Sequence, residues 1–377
     1  MFCENELKKK NLPPIRPDPS VDWESRRAEI ADLLQRELFG YRPAEPVEVS
    51  FDVAPDPRPD FGSAADTFQI TARTKLGGGK AFSFPFYAAL PKGRTGRTGR
   101  TGKPGLPFFV HINFRSDVPD KYMPTMDIVK RGFAVFSFGY EDVTSDDLDF
   151  TDKFAGILYG GRERTGADCG KIPMWSWAAS RVMDFCVTLD CLDLSKSAVI
   201  GHSRLGKTAL YTGMLDTRFQ FVISNESGFA GAALSRNRAD RESGKTFCSA
   251  RFCVENHMQW FAPNYAKYAD HEEDMPYDQH FLVAASAPRY VCVGSADGDT
   301  WSDPMSEYLS CCAAGEIYEQ LGVRGFPHPD RYPEPEEAFQ KGSVGYHLRH
   351  GDHFLAPADW QRYMDFIEKS PPLGQAR

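Results

Sequence analysis

Two patterns of hydrophobic and polar positions follow one another along the chain. Between residues 46 and 89, three short runs have the composition of strands, at 47–51, 67–72 and 81–89. Because turn residues separate them, these runs predict an antiparallel edge of a sheet. From residue 105 onward, apolar strand-like runs alternate with segments of helical spacing. That alternation predicts an α/β fold, with a mostly parallel sheet between helices on both faces as a three-layer αβα sandwich.

The alternating region supplies most of the predicted elements. Strands are predicted at 106–112, 133–138, 199–200, 219–224 and 289–293. Helices are predicted at 22–39, 126–130, 173–189 and 357–367, where apolar residues recur three or four positions apart. No linker interrupts the pattern, so residues 1–377 are predicted to form one domain.

Two segments fall outside this pattern. Residues 1–20 are polar and rich in proline, and we expect them to form an arm over the surface. Residues 93–103 contain a Gly-Arg-Thr repeat that is unable to pack a core, which predicts an exposed, flexible loop. A basic binding loop is the alternative interpretation of the repeat.

Composition excludes several classes of function. The net charge of −8 argues against a nucleic-acid-binding protein. No apolar run approaches the roughly 18 residues that a membrane-spanning helix needs. Residues 1–14 lack the apolar core of a signal peptide, which leaves an intracellular protein or a removed signal as expectations. The nine cysteines include no C-x-x-C pair, so the sequence predicts neither a zinc site nor a cofactor.

The strongest chemical signal is a serine between an apolar strand and a helical run. Ser203 lies within the sequence GHSRLG, with Gly201 before it and Gly206 after it. A serine at such a corner projects its hydroxyl near the positive end of the new helix, as in a nucleophile elbow. The spacing is G-x-S-x-x-G rather than the usual G-x-S-x-G. An ordinary turn serine is the alternative.

A serine nucleophile needs a base, and the base needs an orienting acid. Glu226 and Asp299 each follow a predicted strand after the elbow, and either is a candidate acid. His353 lies between the last predicted strand and the last predicted helix. It is the candidate base, because α/β folds with a nucleophile elbow order their triad as serine, acid, histidine along the chain. Two neighbouring histidines are rivals for that role, His347 and His350.

Two cations follow the serine at helical spacing. Arg204 and Lys207 are three positions apart, so both side chains can face one pocket. A guanidinium group near the attacked carbonyl can stabilise the negative charge that develops there. A solvated helix lysine is the alternative for Lys207.

Seven motifs together resemble the glucuronoyl esterases, carbohydrate esterase family fifteen, and especially its bacterial branch. They are GHSRLGK at 201–207, ESG at 226–228, GAALSR at 231–236, DQH at 278–280, APR at 287–289, DTWSDP at 299–304 and GYHLRHGDH at 345–353. They occur in the family's order and at similar spacing, over roughly residues 105–370. The resemblance implies an α/β-hydrolase fold.

The resemblance also implies a function. Family members are serine esterases that cleave esters of 4-O-methyl-glucuronic acid, as in lignin–xylan cross-links, through an acyl-enzyme. They are usually secreted, which implies a secreted or periplasmic enzyme acting on a lignin–carbohydrate ester. We expect this enzyme to be a monomer. Another carbohydrate esterase, such as an acetyl xylan esterase, and a non-catalytic member of the fold are the alternatives.

The resemblance assigns roles residue by residue. It implies Ser203 as nucleophile, His353 as base and Arg204 as the oxyanion-binding residue. The acid stands at the position of Glu226 or of Asp299 in different members, and this chain keeps both. The positions implied to contact the sugar are Lys207, Trp301 and Glu242, the last standing one residue from the family's glutamate.

Overall fold

The computed structural model describes residues 1–94, 104–117, 120–236 and 248–373. Within these ranges ten strands form one sheet. In chain order the strands are β1 (Glu48–Pro55), β2 (Ala65–Lys75), β3 (Ala81–Pro91), β4 (Leu106–Asn113), β5 (Ala134–Gly139), β6 (Leu192–His202), β7 (Phe221–Asn225), β8 (Tyr290–Ala296), β9 (Ala338–Phe339) and β10 (Val344–Arg349). Their order across the sheet is β1-β2-β3-β5-β4-β6-β7-β8-β10-β9.

The direction of the strands follows the two sequence patterns. Strands β1, β2 and β3 pair antiparallel, and β3 then pairs antiparallel with β5. From β5 through β4, β6, β7 and β8 to β10, every neighbouring pair is parallel. The predicted antiparallel edge and mostly parallel centre are therefore confirmed. The carboxyl ends of β6, β7, β8 and β10 consequently lie side by side along one edge, where their loops can meet.

Helices cover both faces of the sheet. They are α1 (Phe2–Lys10), α2 (Trp23–Leu34), α3 (Thr125–Lys130), α4 (Lys153–Tyr159), α5 (Lys171–Cys186), α6 (Arg204–Leu215), α7 (Ala250–Asn256), α8 (His280–Ala284), α9 (Pro304–Gln320) and α10 (Pro357–Lys369). Val199 and Val222 pack into a core shared with α5, α6 and α9, whereas Ile200 and Ile223 pack into another with α3 and α10. Successive strand residues face opposite sides, so these two cores are the two halves of a three-layer sandwich.

The N-terminal segment differs from its prediction. Residues 2–10 form α1, which contacts α9, although the sequence predicted only a surface arm over residues 1–20. Cys3 and Leu7 lie four positions apart on the side of α1 that meets the core, and the intervening charged residues hide this short stripe in the sequence.

Other differences concern single elements, and helix α9 was not predicted at all. The helix predicted over 22–39 is α2 followed by a wider turn, Gln35–Phe39. The Gly-Arg-Thr repeat predicted as a flexible loop lies almost wholly outside the described residues. Among the helices that are described, none is long and apolar enough to cross a membrane.

Candidate active site

Ser203 occupies a strained corner between β6 and α6. Its backbone angles are φ 58° and ψ −127°, a conformation that costs a non-glycine residue about 1–3 kcal/mol. The strain is held by neighbouring structure, since the Ser203 N–H donates to the carbonyl of Asn225 over 2.9 Å. A Cβ atom on Gly201 would overlap the carbonyl oxygen of Leu205, so glycine is required there for α6 to start so close to β6.

A histidine and two carboxylates meet beside this corner. His353 Nδ1 lies 2.6 Å from Asp299 Oδ2 and 3.4 Å from Glu226 Oε2. The centres of the His353 and His202 rings lie 4.4 Å apart. Because His202 is the residue before Ser203 in the chain, this contact brings His353 close to the serine. Ser203 and His353 are not hydrogen-bonded to each other among the described contacts. Such bonds commonly tighten only when substrate is bound.

The two carboxylates have different surroundings. Glu226 is buried; its Oε1 accepts from Arg349 Nη2 at 2.5 Å, and its Oε2 accepts from the Phe354 N–H at 3.1 Å. Asp299 accepts from the Ser302 N–H at 3.3 Å and makes the shorter bond to His353. Asp299 is therefore the nearer partner of the imidazole, while Glu226 is held by Arg349 and the backbone beyond His353.

The electrostatics separate these groups further. Burial raises the pKa of Glu226 to about 7, against the opposing effects of His353 and Arg349. For Asp299 burial is outweighed by the hydrogen bond and charge of His353, so its pKa is lowered. Burial opposes protonation of His353, but the two carboxylates outweigh it and raise the histidine pKa to about 9. Asp299 is thus the ionised acid that favours the imidazolium form.

The rival histidines lie elsewhere. His347 is fully buried and its Nε2 lies 2.8 Å from Asp359, which also accepts from Arg349 Nε at 2.9 Å. His350 is exposed and its Nδ1 lies 2.8 Å from Asp297. Neither ring reaches the group formed around His353. His347 instead belongs to a buried network that positions Arg349, and through it Glu226.

Arg204 and Lys207 share one aromatic wall. The Arg204 guanidinium lies 5.0 Å from the centre of the Trp260 ring, and Lys207 Nζ lies 5.6 Å from it. Arg204 forms an ion pair with Asp146, which also accepts the Trp260 indole N–H at 2.6 Å. The sequence predicted that the two cations face one pocket. It missed Asp146, because no local motif surrounds that residue.

Both cations are constrained in ways that matter for chemistry. Arg204 Nε is buried and, within the described part of the chain, has no hydrogen-bond partner. Lys207 is buried as well and donates to the carbonyl of Ser227 over 2.5 Å. Burial, with a smaller contribution from Arg204, lowers the pKa of Lys207 although nearby cysteines and Glu307 oppose this. Arg204, the residue after Ser203, thus carries one N–H group without a partner among the described residues.

The other residues implied to contact a sugar are only partly placed. Trp301 is 39% exposed and packs edge-on against Phe252, with ring centres 4.9 Å apart. It follows Asp299 by two residues and so borders the same loop. Glu242 lies outside the described residues.

The triad-like group is also compact enough for a metal ion to be considered. The ligand atoms of Glu226, Asp299 and His353 lie within 4.8 Å of one another. His353 Nδ1 faces both carboxylates, so it is the donor of a hydrogen bond, and Arg349 already neutralises Glu226. These donors suit an oriented imidazole better than a divalent cation.

Comparisons with known proteins agree with this geometry. The family model described as "Glucuronyl esterase, fungi" matches residues 79–322, more than half of the chain. Carbohydrate esterase MZ0003, from an unknown prokaryotic organism, is 37% identical over 243 residues, which are 64% of this chain and 54% of that protein. The chain thus spans about half the length of this relative.

Two further proteins match most of the chain. The 4-O-methyl-glucuronoyl methylesterase 1 of Wolfiporia cocos is 29% identical over 311 residues, covering 81% of this chain and 69% of its own length. The structure of a glucuronoyl esterase from Solibacter usitatus superposes with a TM-score of 0.80 and 28% identity, over 95% of this chain and 97% of that one. The family resemblance and the α/β-hydrolase fold expected from the sequence are confirmed. This chain belongs to the glucuronyl esterase family.

Proposed function

We propose that this protein is a serine esterase that hydrolyses esters of 4-O-methyl-glucuronic acid, such as those joining xylan to lignin. The observation that carries the proposal is the strained Ser203 corner beside His353, whose Nδ1 lies 2.6 Å from Asp299. The substrate class is supported by the similarity to the 4-O-methyl-glucuronoyl methylesterase 1 of Wolfiporia cocos and the glucuronoyl esterase of Solibacter usitatus.

The acyl-transfer chemistry follows from the atoms available. Both carboxylates face His353 Nδ1, so Nδ1 carries the proton and Nε2 is the free base. Ser203 Oγ attacks the ester carbonyl while Nε2 takes its proton; Nε2 then gives that proton to the departing alcohol, leaving an acyl-enzyme. Water, deprotonated by the same nitrogen, attacks the acyl group and restores Ser203. Asp299 stabilises the imidazolium in both steps.

The oxyanion of each tetrahedral intermediate needs hydrogen-bond donors. Arg204 Nε, which lacks a partner among the described residues, is one such donor next to Ser203. The first N–H groups of α6 are others, because the first turn of a helix leaves them without intrahelical acceptors. Loss of one donor of this kind typically costs about 10²–10³-fold in kcat.

Lys207, Trp301 and Glu242 are the residues proposed to contact the sugar. Lys207 stands over Trp260 and can donate to a ring hydroxyl of the uronic acid. Trp301 is 39% exposed, and an exposed indole can stack on a sugar ring. Glu242 completes this set only through the family resemblance.

A substrate panel tests the function. We expect faster hydrolysis of methyl and benzyl glucuronate than of acetylated xylan or a simple acetyl ester. Ser203→Ala is expected to lower kcat/KM by about 10⁴-fold or more, because only the attacking oxygen is lost. Ser195→Ala, at the exposed opposite end of β6, is the matched control and keeps wild-type turnover.

Three results would contradict the proposal in different ways. A preference for acetyl esters would indicate a deacetylase that uses the same residues. Failure of a serine-directed phosphonate to label the native protein would indicate a non-catalytic member of the fold. A Ser203→Ala variant that keeps a tenth of wild-type turnover would show that the nucleophile is another group.

A further inference from the structure

A second cluster of reactive side chains lies outside the candidate active site, where α1 meets α9. Cys3 from α1, Cys312 from α9 and His328 from the segment after α9 have their ligand atoms within 4.8 Å of one another. Cys3 is 6% exposed and Cys312 is 7% exposed. The mechanism proposed above uses none of these groups, and two thiols with an imidazole form a donor set that soft cations prefer.

We propose that Cys3, Cys312 and His328 bind a zinc ion that ties the N-terminal helix to α9. The geometry carries this proposal. In a tetrahedral zinc site with Zn–S near 2.3 Å and Zn–N near 2.0–2.1 Å, a sulfur and a nitrogen ligand are about 3.6 Å apart. Cys3 Sγ and His328 Nδ1 lie 3.7 Å apart. These two ligand atoms therefore already lie at the separation that a shared zinc ion would impose, and Cys312 Sγ lies within 4.8 Å of both.

Metal binding requires the hydrogen bonds of the cluster to rearrange. His328 Nδ1 lies 2.9 Å from Tyr308 Oη and 2.9 Å from the Pro329 carbonyl oxygen. A ligating Nδ1 is unprotonated, so the ring must take the Nε2–H tautomer. The Tyr308 hydroxyl has another acceptor to turn to, the Arg331 carbonyl at 3.0 Å. Each thiol loses its proton to solvent on binding.

Access and support for the site are both present. A cavity of about 710 Å³ is lined by Cys3, Cys312 and His328, so the ion has a route from solvent and a water molecule has room as the fourth ligand. The Cys3 N–H donates to Asp330 Oδ1 at 3.1 Å, which fixes the start of α1 beside the cluster. Cys3 and Cys312 are separated by 309 positions, so the spacing of cysteines in the sequence gives no sign of the site.

A disulfide between Cys3 and Cys312 is the competing use of these thiols under oxidising conditions. The test therefore uses the full chain after reduction with a phosphine and removal of metal. Zinc is added, and its stoichiometry is measured by elemental analysis together with Tm. We expect one zinc ion per chain and a raised Tm, because an ion that binds only the folded state stabilises it. Cobalt in place of zinc is expected to give a thiolate-to-cobalt charge-transfer band.

Matched variants identify the ligands. Cys312→Ser and His328→Gln are each expected to weaken zinc binding by at least about tenfold and to abolish the cobalt charge-transfer band or shift it, since each removes a direct ligand. Cys191→Ser removes a half-buried thiol outside the cluster and is expected to bind as the wild type does. Circular dichroism and hydrolysis of benzyl glucuronate check that every variant is folded.

Two results would overturn the proposal. The first is a reduced wild-type chain that binds no stoichiometric zinc. The second is a folded Cys312→Ser variant that binds zinc as tightly as the Cys191→Ser control.

Discussion

Replacing Asp299 by asparagine tests how the two carboxylates divide their work at His353. The substitution keeps the size of the side chain and removes the charge that lies 2.6 Å from His353 Nδ1. Glu226 remains 3.4 Å away, still held by Arg349. The imidazole therefore loses its nearer partner and keeps a more distant one, so its orientation is weakened rather than lost.

The structure sets the expected size of the effect. Exchanging the only acid of a serine triad for its amide costs about 10⁴-fold in kcat. Because Glu226 remains, we expect Asp299→Asn to cost about 10²–10³-fold, less than Ser203→Ala. Removal of one close negative charge is also expected to lower the pKa of His353 by about one to three units. In the wild type the pKa of His353 is raised to about 9 from the ordinary histidine pKa of 6.5.

These two effects act in opposite directions near neutral pH. The base must be neutral, so kcat/KM rises with pH through the pKa of His353. At pH 7, below that pKa, most of the wild-type His353 is protonated. Asp299→Asn increases the neutral fraction of His353 but lowers the rate at which each neutral enzyme molecule reacts. The measured loss is therefore expected to be smaller at pH 7 than on the alkaline plateau.

The assay is kcat/KM on benzyl glucuronate from about pH 5 to about pH 10, with spontaneous hydrolysis subtracted. Glu226→Gln is the matched control; it keeps a hydrogen-bonding side chain beside Arg349 and is expected to cost less than Asp299→Asn. The double variant is expected to approach Ser203→Ala, with coupled rather than independent losses. An Asp299→Asn profile that overlays the wild type, beside a Glu226→Gln variant as inactive as Ser203→Ala, would refute the reasoning.

Three further outcomes follow from the same contacts. Arg204→Ala is expected to lower kcat by about 10²–10³-fold with little change in KM; steady-state kinetics showing a change in KM alone would make it a substrate clamp. Lys207→Ala is expected to raise KM for glucuronate esters more than for acetyl esters, and an equal rise for both would argue against sugar contact. Asp359→Ala is expected to lower the free energy of unfolding by about 3 kcal/mol, because it leaves His347 without its buried carboxylate and removes one of the two buried carboxylates that pair with Arg349. Burial raises the pKa of Asp359, but His347 and Arg349 outweigh burial, so this pKa is lowered. The stability that Asp359 contributes is therefore present above the ordinary carboxyl pKa and is lost as the pH falls through the lowered pKa. Urea unfolding of the wild type and of Asp359→Ala should give converging free energies in acid.

Much of the fold was readable from local sequence because local rules decide it. Central strands such as β4 and β7 are continuous apolar runs, as expected for strands covered on both faces. The order of Ser203, Glu226, Asp299 and His353 along the chain matched the strand ends that bring them together. Adjacent parallel strands align their carboxyl ends, so sequence order translated directly into proximity.

Other features depend on packing that no local pattern reports. Helix α9 was not predicted, since it is buried on nearly all sides and lacks the polar face that marks a surface helix. The pairing of Asp146 with Arg204 joins residues 58 positions apart and has no motif. The sequence also could not predict which of the two acids lies nearer to His353, because these distances depend on the contact of Arg349 with Glu226.

Asp146 determines how much positive charge the candidate site presents, and the difference between substrate and product shows why this matters. The ester is neutral at the reacting carbon, whereas the acid product carries a carboxylate there. Arg204 and Lys207 both stand over Trp260, and two uncompensated cations would hold that product after each turnover. Asp146 pairs with Arg204 and also accepts the Trp260 indole N–H, so it offsets the charge, while Arg204 Nε keeps no partner within the described part of the chain. Only interactions that are stronger in the transition state than in the bound states speed the reaction. We infer that Asp146 makes Arg204 a directional donor to a short-lived oxyanion rather than a strong binder of the product.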